Sequence, residues 1–335
     1  MLSPHPETWL YPTPRGLYCE PGQFYVDPHL AVDRAIITHG HSDHARSGHG
    51  AVLASAETIE IMKVRLGPEG AGTYEAYVEP LTLNGVKLSL VPAGHILGSC
   101  QVVLEWQGVR VVVSGDYKRA RDPSAAQFEL VPCDLFITEA TFGLPVFRHE
   151  PAEKEAARLV QSIAANPERT HLLGAYNLGK CQRMIMLVRE AGYDAPIYLH
   201  GAQRTLCELY QRLGFDLGEL RSAAGTAQAE TKGKLILCPP SAIDDKWSRR
   251  FADPVTCFAS GWMRVRGRAR QRGVELPLVV SDHCDWPELL QTIEETGAEE
   301  IWVTHGREDA LAYQIEKMGK RGRALALVGF EDEGD

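Results

Sequence analysis

The sequence predicts an α/β protein of two domains, the first interrupted by the second, and three observations carry that expectation. Residues 1 to about 145 read as short strands separated by turns, with one helical stretch. From about 152 the pattern changes to strands alternating with helices, as in a parallel sheet with crossover helices. In the tail, histidines again follow apolar runs, at His283 and His305, as they do near the start. The outer domain is therefore expected to comprise 1–165 and 269–335, with an α/β insertion over 166–268.

In chain order, the apolar runs place strands at 24–27, 34–38, 86–91, 101–106, 109–114 and 134–138, and a helix at about 55–66. The insertion opens with helix 152–165, strand 171–175 and helix 179–191. Strand 196–199, helix 202–213 and strands 234–238 and 255–259 follow. After Gly273 come strand 277–281, helix 286–296, strand 300–304, helix 307–319 and strand 323–328. No internal repeat or low-complexity linker interrupts the series.

The 335 residues are 44 % hydrophobic and 24 % charged, as in ordinary soluble globular proteins. No apolar run approaches the ~20 residues that span a bilayer, so no membrane partner is expected. The first residues, Met1-Leu2-Ser3-Pro4-His5, lack the basic and apolar regions of a signal peptide. Eight cysteines stand singly, without C-x-x-C pairs, and fit buried thiols in a reducing cytoplasm.

The densest chemistry lies in Thr38-His39-Gly40-His41-Ser42-Asp43-His44, directly after Ala35-Ile36-Ile37. Imidazole and carboxylate are ligands that Zn²⁺ or Mn²⁺ accepts. A strand ending in a tight loop can aim His39 and His41 at one ion, and Asp43 and His44 at a second. The same placement recurs downstream: Asp27 closes Phe24-Tyr25-Val26, His95 follows Val91-Pro92-Ala93-Gly94, and Asp116 follows the run 109–115. Each is a ligand-type residue where a rigid strand gives way to a loop.

The run His39-x-His41-x-Asp43-His44 resembles the H-x-H-x-D-H signature of metallo-β-lactamase-fold hydrolases. With the insertion, nearly the whole chain resembles the β-CASP branch of that superfamily, which processes nucleic acids. Glu139 in Ile137-Thr138-Glu139-Ala140-Thr141 resembles its motif A. Ser281-Asp282-His283-Cys284-Asp285 resembles motif B, and Val303-Thr304-His305-Gly306 motif C. Tyr176-Asn177-Leu178-Gly179-Lys180 looks like the turn that opens the inserted domain. Pro12-Thr13-Pro14-Arg15-Gly16-Leu17-Tyr18-Cys19 most resembles bacterial ligase-associated DNA exonucleases. The implied fold is an αββα sandwich carrying an inserted α/β domain.

The resemblance implies two divalent ions, Zn²⁺ or else Mn²⁺. His39, His41 and His95 would hold one, Asp43, His44 and His305 the other, and Asp116 would bridge them. Such a pair can activate water and stabilise in-line displacement at phosphorus. Asp27 is expected outside the ligand set, fixing the tautomer of a ligating imidazole. His283 is the candidate general acid, with Glu139 to orient it and keep it protonated.

A net charge of −9 is awkward for a nucleic-acid enzyme, but its distribution is uneven. From Lys246 to Arg272 there are eight basic residues and one acid, a local balance of +7. If extended, the alternation Arg264, Arg266, Arg268, Arg270, Arg272 would put five guanidinium groups on one face. Asn177 and Lys180 at a helix start could take a phosphate, and Trp262 could stack on a base. The cleft between the domains is the expected path of the phosphate backbone. The substrate expected is DNA, degraded from an end, with a DNA ligase as functional partner. His305 at motif C, the version associated with RNA-processing members, keeps an RNA nuclease as the alternative. A silent nucleic-acid-binding subunit ranks last, because all seven ligand positions are filled.

Overall fold

A computed structural model describes residues 4–325 and Leu327. The chain divides into one unit made of Met1–Pro145 and His283–Gly334, and a second made of Val146–Asp282. These limits differ from the expected 165/166 and 268/269. Helix Ala152–Ala165 joins the second unit, where Arg158 Nη2 donates to Pro277 O at 2.7 Å. Strand Leu276–Leu278 also belongs there, because it pairs with Val255–Ala259.

Two sheets form the first unit. One runs in sequence order from Leu10–Thr13 through Gly16–Cys19, Phe24–Val26, Arg34–Ile36 and His49–Ala54 to Ala71–Ala76. The other is ordered Arg321–Ala324, Glu300–Gly306, Leu135–Ala140, Val109–Val113, Cys100–Trp106, Val86–Pro92 and Leu81–Leu83. Period-two alternation decides what each strand buries. Val26, Ile36 and Leu53 share a core with Val102, Leu104, Val111, Val113, Leu135 and Ile137. Their sequence neighbours Ala35, Ile37, Val52 and Ala54 pack with Ile59 and Met62 of helix Ala56–Leu66. On the other sheet, Val103, Val112 and Phe136 pack with Leu289, Ile293, Leu311 and Ile315. Those four belong to helices Trp286–Glu295 and Glu308–Lys317. The order of layers is helix, sheet, sheet, helix: an αββα sandwich.

Side-chain caps set where two of these helices begin. Ser55 Oγ accepts from Thr58 N at 3.1 Å, and Asp285 forms a reciprocal capping box with Glu288. Six of the described strands were not expected: Leu10–Thr13, Gly16–Cys19, His49–Ala54, Ala71–Ala76, Leu81–Leu83 and, in the second unit, Leu220–Ser222. Most are short or carry few apolar residues, and Leu10–Thr13 holds Pro12 at a sheet edge, where a missing N–H is tolerated. The last strand is Arg321–Ala324, and positions 326 and 328 of the expected 323–328 lie outside the described residues.

In the second unit every neighbouring strand pair is parallel. The order is Leu220–Ser222, Ile197–Leu199, Leu235–Cys238, His171–Gly174, Val255–Ala259 and Leu276–Leu278. Strands His171–Gly174 and Leu235–Cys238 are buried at every residue, which is why they read as unbroken apolar runs. Among the described residues, no helix is long and apolar enough to cross a membrane.

Candidate metal centre

Strands Val109–Val113, Leu135–Ala140 and Glu300–Gly306 run parallel side by side. Their C-terminal ends therefore deliver Asp116, Glu139 and His305 to one rim of the sheet. His305 reaches it through a β-bulge: Glu139 pairs with Thr304 and Ala140 with Gly306, leaving His305 as the extra residue. Its φ of 60° is left-handed, as is the 44° of Asp27. A non-glycine residue held there costs roughly 1–3 kcal/mol, which the surrounding structure must offset. Gly115, with φ of 55°, lets the loop before Asp116 press on Thr38, whose side chain an added Cβ would meet at 2.8 Å.

Two ligand-type clusters form there. The candidate ligand atoms of His39, His41, His95 and Asp116 lie within 4.8 Å of one another, as do those of Asp43, His44 and His305. Asp116 Oδ2 stands 3.5 Å from His39 Nε2 and 3.4 Å from His44 Nε2, so one carboxylate reaches both clusters. His305 Nε2 is 3.8 Å from Asp43 Oδ2, and its ring stacks on His44 with centroids 4.9 Å apart. A third grouping joins Asp116 to Glu139 and His283. There His283 Nδ1 is 2.9 Å from Glu139 Oε2, and Glu139 Oε1 accepts from Tyr117 N at 2.9 Å.

Asp27 stands behind the clusters rather than in them. Its Oδ2 is 2.7 Å from His44 Nδ1, which directs Nε2 of that ring towards Asp43 and Asp116. Thr38 extends the same carboxylate to His39: Thr38 Oγ1 donates to Asp27 Oδ2 at 2.6 Å and lies 3.0 Å from His39 Nδ1. Sequence reading missed Thr38, although it sits inside the quoted string. Ser99 was missed too; its Oγ accepts from the backbone N–H of His95 at 3.0 Å.

Burial pushes the His39 imidazole well below its usual range, and the neighbouring rings push the same way. Burial would also depress His44, but the carboxylates of Asp43, Asp116 and Asp27 prevail and hold it well above. Burial would raise Asp116, yet His44 and His283 beside it keep its carboxyl well below the usual range. His39 Nε2, Asp43 Oδ1 and Asp116 Oδ1 are buried without a hydrogen-bond partner among the described residues. Such atoms are rare in folded proteins. Neutral His39 and ionised Asp116 are already in the state a divalent ion binds, and His44 would give up its proton to one. The donor set fits a dinuclear metal site.

The expected substrate-binding residues lie in the second unit, and two expectations there are corrected. Arg264–Arg272 is not extended: Gly261–Arg264 is a 3₁₀ turn and Arg266–Arg272 an α-helix, so the alternation does not share one face. Arg266 and Arg270, four apart, are exposed on one side of the helix. Arg268 lies over the Trp262 ring at 3.9 Å and Arg272 over Phe258 at 4.8 Å. That face of Trp262 is therefore covered, and its ring stands perpendicular to Phe147 with centroids 5.1 Å apart. Lys180 is buried, donating to Val280 O at 2.8 Å and pairing with Asp282 Oδ1 at 2.8 Å. It holds its own unit together instead of offering a free cation to phosphate. Asn177 Oδ1 is buried at the turn, whose backbone carbonyl accepts from Gln182 Nε2 at 3.0 Å.

No protein-family model matches the chain. A probable DNA ligase from Opitutus terrae is 28 % identical over 319 residues, covering 92 % of this chain and 30 % of the relative. An endoribonuclease YSH1 from Eremothecium gossypii is 32 % identical over 119 residues, 34 % of this chain and 15 % of the relative. A cleavage and polyadenylation specificity factor subunit 3 from Dictyostelium discoideum is 29 % identical over 141 residues, 39 % and 18 % of the respective chains. This chain thus spans less than a third of each of these relatives. A crystal structure of a protein of unknown function from Enterococcus faecalis shares the fold, with TM-score 0.58 at 12 % identity over 89 % of this chain and 80 % of that one. Fold and relatives resemble those of the β-CASP branch of the metallo-β-lactamase superfamily, and the donor clusters at the rim of the αββα sandwich fit the dinuclear site of such proteins.

Proposed function

We propose that this chain is a two-metal nuclease that hydrolyses phosphodiester bonds, and that it acts on DNA from an end, alongside a DNA ligase. The observation that carries the nuclease reading is the pair of clusters sharing Asp116, with His283 held by Glu139 beside them. His39, His41 and His95 would hold one ion, Asp43, His44 and His305 the other, and Asp116 both. Five imidazoles and two carboxylates suit Zn²⁺ best, with Mn²⁺ next. Bound there, the ions would neutralise phosphate charge and supply activated water.

The protein's own groups do the rest. Asp27 and Thr38 set the tautomers of His44 and His39, so that each ring turns Nε2 to the centre. Glu139 takes Nδ1 of His283 and leaves its Nε2 to protonate the departing oxygen. Arg264, Arg266 and Arg270, exposed on the second unit, are the candidates to bind the phosphate backbone. Eight free cysteines, six of them buried, suit a reducing cytoplasm.

The preference for DNA rests on the likeness to a probable DNA ligase over 92 % of the chain. A second reading, an RNA nuclease, draws support from the relatives named endoribonucleases. End-labelled single- and double-stranded DNA and RNA, digested in parallel with Zn²⁺ and Mn²⁺, separate the two. Faster loss of DNA supports the first reading, and faster loss of single-stranded RNA overturns it. A closed circle that survives while a linear strand is degraded supports exonuclease action, and nicking of the circle opposes it.

A further inference from the structure

We infer that Lys118, two residues past Asp116, is a positioning residue that holds the proton donor His283 in register with the metal centre. This rests on the general-acid reading of His283. Lys118 is only 5 % exposed, an unusual burial for an ammonium group. Its Nζ lies 3.3 Å from the main-chain carbonyl of His283 and 3.5 Å from Glu288 Oε2. An ammonium placed there has to satisfy groups that no aliphatic side chain could satisfy.

The backbone of Lys118 faces the metal side. Its N–H donates to Ala93 O at 3.0 Å. An added Cβ on Gly94, whose φ is 78°, would meet Lys118 O at 2.2 Å, so the loop leading to His95 presses directly on this residue. Around it the two loops are laced together. Cys284 N donates to Tyr117 O at 2.8 Å, and Ala120 N to Glu288 Oε1 at 2.9 Å. Tyr117 N donates to Glu139 Oε1, the same carboxylate that holds the His283 ring. Glu139 fixes the ring of His283, and Lys118 fixes its backbone. One short segment therefore carries Asp116, braces the His95 loop and sets where the acid stands. Misplacing a reacting group by about 1 Å costs on the order of 10²-fold.

The test compares Lys118→Met, Lys118→Arg and His283→Ala on an oligonucleotide and on bis(4-nitrophenyl) phosphate, whose leaving group needs no proton. Lys118→Met should lose about 10–100-fold in kcat on the oligonucleotide at nearly unchanged KM, and keep its metal content. On the nitrophenyl ester the loss should nearly vanish. Lys118→Arg, which restores a cationic donor, should recover much of the oligonucleotide rate. Should Lys118→Met not fold, Glu288→Gln must reproduce the same split between substrates. Equal loss on both substrates, lost metal or full activity would overturn the inference while His283→Ala still showed the split. If His283→Ala itself lost equally on both substrates, the general-acid reading would fall, and the role of Lys118 with it.

Discussion

Both units bury ionisable side chains, and they use them differently. In the first unit, His39 and Asp116 are buried and Asp43 is half-buried at one sheet rim, and each keeps a buried atom with no hydrogen-bond partner among the described residues. In the second, Lys180, Arg183 and Asp282 are equally buried but consume one another: Asp282 Oδ1 lies 2.8 Å from Lys180 Nζ and 3.3 Å from Arg183 Nη1. Arg183 also donates to Ser281 O, and Lys180 to Val280 O. A buried charge with its partners in place maintains a fold, whereas a buried donor atom left unpaired is available to a ligand.

The largest effect expected from a single side chain tests the first unit. His283→Ala should lose roughly 10²–10⁴-fold in turnover while two ions per chain remain, as elemental analysis can count. Loss of an ion would make His283 a ligand of the third grouping with Asp116 and Glu139. Asp27→Ala comes next, because it frees the rings of His44 and His39 without removing a ligand. It should cost roughly 10–100-fold in metal affinity or activity, and an unchanged affinity for Zn²⁺ in a chelator competition would remove Asp27 from the account.

The second unit should respond in stability where it is paired, and in binding where it is exposed. Lys180→Ala should lower unfolding free energy by up to about 3–5 kcal/mol, with Arg183 moderating the loss, and leave the salt dependence of DNA binding unchanged. Arg266→Ala with Arg270→Ala should do the reverse, flattening the slope of log K against log salt by about 0.7 per lost contact on single strands. Exchanged outcomes would mean that Lys180, not the arginine helix, meets phosphate.

A further effect, seen only in acid, concerns His171, whose Nε2 lies 2.9 Å from Ser162 Oγ. Burial, with Arg169 nearby, pushes its imidazole down to about 4. The unfolded chain then takes up a proton near pH 6.5 that the folded chain refuses until about pH 4. Stability should therefore fall as pH drops through that window and level off below it. His171→Gln should make the denaturation midpoint less steep between pH 6.5 and 4, and an equally steep variant would assign the slope to other groups.

Much of this was legible in the sequence, for a physical reason. Asp27, His95, Asp116 and His305 each follow an apolar run, so period and placement alone locate them at strand ends. The two strand faces were legible as well, because alternate residues such as Ile36 and Ile37 serve different cores. What failed was whatever depended on partners distant in sequence. Lys180 at a helix start looks like a phosphate grip, and the Asp282 that occupies it lies about a hundred residues on. The arginine series has no apolar register to distinguish period two from a helix, and good helix formers decided it. Lys118 gave no local signal, since its contacts, His283 and Glu288, are set by a loop and the start of a helix distant in sequence.

The unpaired buried atoms of His39, Asp43 and Asp116 are predicted to hold two ions that share Asp116. Anomalous diffraction from crystals of the Zn²⁺-loaded chain tests it directly. Two peaks are predicted, one among His39, His41 and His95, the other among Asp43, His44 and His305, with Asp116 bonded to both. A single peak, or one seated among Asp116, Glu139 and His283, would contradict it.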